Sequence, residues 1–181
     1  MVTTLYLRNT LANNPKPETK QSSTSITQWI SDGEGGITVL NMITTPGASI
    51  QLLGGTFTEP GVTHFGWHKA FISPPLSGAQ TISGTLDYKA DYHEQSGAHN
   101  MMPRIYVYVW KADDSGIRGV LRAETNSAVE PDDTFKLFFD DLALASVNAE
   151  NGDRIVVELM VWDNNTKTAD YLHDLYYNGA I

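Results

Sequence analysis

The sequence predicts an all-β protein in which two antiparallel sheets pack face to face. Almost every patterned segment alternates apolar and polar residues with a period of two, and none shows the repeat of an amphipathic helix. About ten to twelve short strands recur at the ~8–12-residue spacing that is typical of sandwiches and barrels. Two packed sheets would bury one side of each strand.

The strand signals follow one another along most of the chain. In order they are TTLYLR, GITVLNMI, ASIQLLG, VTHFGWHKAFI, QTISGTLDYKADY, RIYVYVW, VLRAET, DTFKLFFD, LALASV, RIVVELMVW and YLHDLYYNG. The segment LALAS is also compatible with a short helical turn. Turn signals separate the strands, and the clearest are TTPG, SPPLSGA, KADDSGIRG and NAENGD. In KADDSGIRG, Asp and Ser can accept backbone hydrogen bonds while Gly116 supplies a positive φ.

Residues 9–25 differ from the rest of the chain because they are polar and have no periodicity. Pro15 and Pro17 favour extended backbone there and cannot donate to a strand ladder. We therefore divide the chain into an N-terminal strand and extended arm, residues 1–25, and a β-sandwich domain, residues 26–181. The arm is either a mobile linker or a segment that becomes ordered along a neighbouring subunit.

Composition limits the classes of partner. The chain has 181 residues, enough for one domain, and a formal net charge of -9, which repels nucleic acid and anionic membranes. Cysteine is absent, so disulfides, thiolate metal sites and cysteine nucleophiles are excluded. No stretch approaches the ~20 apolar residues of a membrane span, and MVTTLYLRNT lacks the pattern of a secretory signal. We expect a protein made in the cytoplasm that binds neither nucleic acid nor membrane.

The polar residues do not form a recognisable catalytic or metal-binding motif. On a strand, His64 and His68 would lie ~13 Å apart, too far to share a zinc ion. Asp113 and Asp114 supply only two carboxylates, which is more typical of a turn than of a calcium loop. Two further acidic doublets are interpreted as solvated strand ends: Asp132–Asp133 and Asp140–Asp141. Without a phosphate loop or nucleophile elbow, the sequence predicts no enzyme, cofactor or metal site.

Aromatic residues are the remaining candidates for a site. Tyr106, Tyr108 and Trp110 alternate along one strand and therefore share one of its faces. They could form a flat platform for sugar rings, the second side of a buried strand, or a subunit interface. Trp67 and Trp162, on two other strands, are candidates for the same roles. We favour the core or a subunit contact, because both faces of this strand are apolar and aromatic residues are enriched at interface cores.

Several stretches together resemble structural proteins of the virions of tailed bacteriophages. In chain order these are TTLYLRNT, PPLSGAQTISGTLDYKADYHEQS, RIYVYVWKADDSGIRGVL, VNAENGDRIVVELMVW and LYYNG. They span most of the chain, and their order and spacing carry more information than any one of them. Because such proteins are jelly-roll sandwiches, the resemblance refines the predicted fold to a jelly-roll-like antiparallel β-sandwich with an extended N-terminal arm.

The resemblance also implies a function. It indicates a virion structural protein, and specifically a capsid decoration (cement) protein that stabilises the shell by binding between major capsid subunits. The implied partners are the major capsid protein or other virion proteins, with the chain itself a homotrimer. The protein would be made in the host bacterial cytoplasm and located in the virion. The alternatives are a carbohydrate- or receptor-binding tail or fibre module, suggested by the aromatic strands and HFGWHK, and a β-sandwich hydrolase.

Overall fold

The computed structural model describes seven segments of the chain. They are residues 6–11, 38–43, 51–57, 66–94, 101–128, 135–163 and 171–177, with side chains described for residues 70–88, 103–128 and 139–159. All regular structure in these segments is β-strand, as predicted. The described residues therefore include no helix that could span a membrane.

The described segments contain ten strands. They are β1 (Tyr6–Leu11), β2 (Thr38–Ile43), β3 (Gln51–Phe57), β4 (Gly66–Ile72), β5 (Gln80–Glu94), β6 (Met101–Trp110), β7 (Ile117–Asn126), β8 (Phe135–Ala149), β9 (Arg154–Asp163) and β10 (Tyr171–Tyr177).

The strands form two sheets with the pairing of a jelly roll. The six-stranded sheet has the order β1-β2-β4-β9-β6-β7, and the four-stranded sheet has the order β3-β10-β5-β8. Strands β3 to β10 pair as nested antiparallel hairpins: β6 with β7, β5 with β8, β4 with β9, and β3 with β10. Pairings of β6 with β9 and of β5 with β10 then join the hairpins side by side. A nested ribbon divided between two sheets is a jelly roll, which confirms the predicted fold.

Strands β1 and β2 extend this ribbon in a way that the sequence did not predict. They pair antiparallel with each other, but residues 38–41 of β2 pair parallel with residues 69–72 of β4. The predicted antiparallel sandwich therefore contains one parallel ladder among the described strands. The reason is topological: β3, the strand between β2 and β4, lies in the other sheet, so the chain re-enters the first sheet in the same direction.

The predicted start of the arm at residue 9 also needs a correction. Strand β1 continues to Leu11, so residues 9–11 belong to the strand and not to the arm. The rest of the predicted arm, residues 12–25 with Pro15 and Pro17, lies outside the described segments.

The acidic doublet Asp140–Asp141 lies inside a strand and does not mark its end. Strand β8 is continuous, so LALAS is not a helical turn. In the β5–β8 ladder Leu86 pairs with Leu142 and Tyr88 with Phe139, which leaves two aspartates opposite Asp87. This is a β-bulge. Asp141 has a φ of 48°, and its amide donates a 2.9 Å hydrogen bond to Asp87 Oδ1.

Contact between the sheets identifies the inner face of the six-stranded sheet. A Cβ at Gly119 on β7 would lie 2.9 Å from both γ-carbons of Val147 on β8. Gly119 pairs with Val109, so the face that carries Val109 is directed toward the four-stranded sheet. The inner side chains of β6 are accordingly buried: Ile105, Val107 and Val109.

The close contact at Gly119 gives a prediction about stability. We expect Gly119→Ala to lower the free energy of unfolding by about 1–3 kcal/mol, because the new methyl group overlaps a stiff, β-branched side chain. Chemical denaturation checks this value. In a Val147→Ala background the same change should cost much less, and an equal cost in both backgrounds would contradict the proposed contact.

Candidate functional site

Three loops meet at one end of the sandwich, and we call them the loop end. They are residues 73–79 between β4 and β5, residues 111–116 between β6 and β7, and residues 150–153 between β8 and β9. The amide of Leu76 donates to Asp153 O (2.8 Å), and the amide of Gly152 donates to Leu76 O (2.9 Å). The amide of Gly78 donates to Asn151 Oδ1 at 2.8 Å. Backbone groups far apart in sequence therefore satisfy one another here.

The buried carboxylate of Asp153 joins two of these loops, residues 111–116 and residues 150–153. Its side chain is fully buried and accepts hydrogen bonds from the amides of Ala112 (3.0 Å) and Glu150 (2.8 Å). Arg118 on β7 completes the site, because its guanidinium donates to both Asp153 oxygens and forms a 2.9 Å ion pair with Glu150. One carboxylate thus connects the β6–β7 hairpin, strand β7 and the β8–β9 turn.

These contacts determine the ionisation of the pair. Burial alone would raise the pKa of Asp153, but the hydrogen bonds from Arg118 and from the two amides outweigh it and hold that pKa below its usual value. The same hydrogen bond raises the pKa of Arg118. The pair therefore remains ionised at neutral pH. A buried charge is tolerated when it is paired and hydrogen-bonded in this way.

The predicted hairpin loop between β6 and β7 is confirmed. Lys111 N donates to Gly116 O at 3.0 Å, and the positive φ values fall at Asp114 (59°) and Gly116 (137°). Asp113 Oδ1 accepts from the amide of Ser115, and Asp114 Oδ1 accepts from Trp110 Nε1 at 2.9 Å. Both carboxylates therefore accept hydrogen bonds within the turn, as expected for the turn-forming aspartates that the sequence predicted.

The β4–β5 loop is fixed to β9 in a similar way. Ser73 Oγ accepts from the amide of Ile155 and donates to Pro74 O, while Arg154 Nη1 donates to Ser73 O. The loop end exposes mainly small, polar and acidic residues on this framework: Pro74, Pro75, Ser77, Gly78, Ala79, Ala112, Asp113, Asp114, Ser115, Glu150 and Asn151.

The structure brings three of the predicted aromatic residues together and buries them. The centroids of the Tyr106 and Tyr108 rings lie 5.1 Å apart, and those of Tyr108 and Trp110 lie 6.3 Å apart. These side chains are 6%, 0% and 4% exposed. They form an outer cluster, on the face of β6 opposite Val109, together with Ala70, Ile72 and Val156. Such burial leaves no open ring face for a sugar, and it fits the alternative of a buried second face.

The outer cluster also encloses polar groups. Glu158 on β9 pairs in register with Tyr106 and Ala70, and its side chain is 1% exposed. The hydroxyl of Tyr108 is buried close to the Glu158 carboxylate. Burial and then the negative charge of Glu158 raise the pKa of both tyrosines. At neutral pH the phenols are therefore protonated, which suits a packing role better than acid–base chemistry.

The remaining predicted site residues are only partly described. Trp67 and Trp162 lie on adjacent strands, where Trp67 pairs with Val161 and Gly66 pairs with Trp162. Their side chains are outside the described set. The same is true of the side chains of the five histidines and of the arm prolines.

One group of described residues could offer oxygen ligands to a cation. The carboxylates of Asp87, Asp140 and Asp141 can place one oxygen each within 4.8 Å of one another, and all three residues are exposed. Hard cations such as Ca²⁺ bind oxygen ligands of this type. The bulge explains the grouping without an ion, because Asp87 already accepts the Asp141 amide.

Sequence reasoning missed Asp153 and Arg118. The only local signal for Asp153 is its position directly after the Asn151–Gly152 turn, which does not reveal a partner 35 residues earlier in the chain. Comparison with known proteins does not supply such residues either, because no family model and no curated protein matches the chain.

Removing the charge of Asp153 tests its role. We expect Asp153→Asn to lower the free energy of unfolding by about 2–4 kcal/mol, because the fully buried acceptor shared by the Arg118 guanidinium and two amides loses its charge. Denaturant titration at neutral pH measures the loss. The matched variant Asp113→Asn should lower stability much less, because that side chain is exposed and its remaining amide oxygen can still accept from the Ser115 amide.

The lowered pKa of Asp153 also fixes the pH dependence. Its contribution to stability is complete above the ordinary carboxyl pKa of ~3.9 and is lost as the pH falls through the lower folded-state value. The stability difference between the wild type and Asp153→Asn should therefore narrow below pH ~4. A difference that stays constant down to pH ~2 would contradict this assignment.

Proposed function

We propose that this protein is a structural protein of a tailed-bacteriophage virion, and specifically a capsid decoration (cement) protein. It binds as a homotrimer between major capsid subunits and stabilises the shell. Two lines of argument support the proposal: the resemblance of several stretches to such proteins, and a jelly-roll fold, which is common among viral capsid domains. Because the same fold also occurs in lectins and enzymes, it cannot carry the proposal alone.

The observation that carries the proposal is the meeting of three resembling stretches at the loop end. PPLSGA, WKADDSGIRG and NAENGD are far apart in the chain, yet backbone hydrogen bonds and the Asp153 carboxylate join them. The turn segments of three resembling stretches therefore form a single three-dimensional unit. A unit of this kind fits a protein whose task is to present a fixed surface.

A pre-ordered surface is suited to binding because little conformational entropy is lost on association. At the loop end the exposed charges are mainly acidic, with Asp113, Asp114 and Glu150 in exposed positions. The net charge of -9 adds to this field and favours a partner surface that carries positive charge. We propose that the loop end contacts the shell.

Binding to undecorated capsids tests the function. The purified protein should bind such particles stoichiometrically at micromolar concentration, as measured by co-sedimentation, and should raise the temperature at which the particles rupture. An absence of binding at micromolar concentration would contradict the decoration function itself.

A pair of matched variants tests the surface separately. Ala79 in the loop end and Ala145 on β8 are both exposed, so Arg at either position adds the same bulk and charge. We expect Ala79→Arg to weaken capsid binding by at least ~10-fold and Ala145→Arg to leave it unchanged. Equal affinities for the two variants would place the shell contact elsewhere on the protein.

A further inference from the structure

Strands β3 to β10 form a complete jelly roll without help from β1 and β2. Each of these eight strands has its nested hairpin partner within the set. The lateral pairings of β6 with β9 and β5 with β10 also lie within it. Removing β1 and β2 would therefore leave all of these ladders intact and would expose one edge, that of β4.

Within the described segments, the β1–β2 pair is attached to this jelly roll by a single ladder. Four residues of β2 pair with four residues of β4, and the pairing is parallel, which is slightly less stable per residue than antiparallel pairing. Strand β1 also contacts β3 and β10. By comparison, β9 pairs with ten consecutive residues of β6 on the other side of the same sheet.

The connection to the jelly roll is long enough to permit another arrangement. Residues 44–50 join β2 to β3, and a connection of seven residues can span up to ~25 Å. The β1–β2 pair can therefore reach beyond its own β4 without disturbing β3, which stays paired with β10.

We propose that the β4 edge is a docking strand for the β1–β2 pair of a second copy of this chain. The occupant is a second copy because exchange reproduces the same β2–β4 ladder and the same contacts of β1, so no new surface chemistry is needed. The cost of the exchange is the translational and rotational entropy that two copies lose when they associate. That cost is small when neighbouring copies are held side by side, because the effective concentration is then in the millimolar range.

Exchange between copies is independent of capsid binding, so it can be tested without a virion. The absence of cysteine gives a clean background for cross-linking. Thr38 and Lys69 are register partners in the β2–β4 ladder, so one chain carries Thr38→Cys and a second chain, with an affinity tag, carries Lys69→Cys. The two chains are mixed at up to millimolar concentration, oxidised mildly and separated by non-reducing electrophoresis.

The control uses a ladder that exchange should not open. Thr81 and Asn148 are exposed register partners in the β5–β8 ladder, joined by a 2.8 Å side-chain hydrogen bond. Thr81→Cys and Asn148→Cys are placed in separate chains in the same way. We expect the Thr38 and Lys69 chains to form at least ~10-fold more mixed disulfide than this control, with a yield that rises with protein concentration. Equal yields from the two pairs would overturn the proposal.

A variant with both changes in one chain completes the test. Thr38→Cys with Lys69→Cys, oxidised when dilute, should form an internal disulfide, because the two residues pair within one chain at low concentration. Once that bond has formed, this variant should no longer form mixed disulfides with chains that carry a single cysteine. Failure to form the internal disulfide would contradict the β2–β4 pairing, and with it the exchange.

Discussion

A buried carboxylate needs hydrogen-bond donors from its own chain, because it has no contact with water. This requirement determines how the loop end is arranged. Asp153 has no access to water, so it needs donors from several directions at once. It obtains them from the hairpin at Ala112, from strand β7 through Arg118 and from its own turn at Glu150. The carboxylate thereby fixes the hairpin loop and the β8–β9 turn, and backbone hydrogen bonds of Leu76 with Asp153 and Gly152 attach the third loop to that turn, without disulfides.

Strand β6 supplies the second constraint, since both of its faces are buried. Its inner face packs toward the four-stranded sheet, and its outer face carries the three packed rings of the outer cluster. The hairpin loop begins where this strand ends, and Trp110 donates a hydrogen bond to Asp114 in that loop. The position of the loop end therefore follows from a strand that is fixed on both sides.

The sequence predicted the features that depend on local pattern. Alternation identified nearly all the strands, and turn chemistry placed Gly116 at a positive φ. It could not predict features that depend on distant partners. The parallel ladder between β2 and β4 results from β3 joining the other sheet, and the doublet Asp140–Asp141 becomes a bulge only because of the register with Asp87. No sequence pattern near Arg118 indicates its role, because its partner Asp153 lies 35 residues later in the chain.

Asp153 joins the three loops into a single unit through its carboxylate and its backbone carbonyl. Amide hydrogen exchange in Asp153→Asn tests this claim directly. We expect residues 73–79, 111–116 and 150–153 to lose protection together, while the β5–β8 ladder near Thr85 keeps its wild-type protection. Loss of protection confined to residues 150–153 would show that the other two loops are held independently, and it would contradict the account.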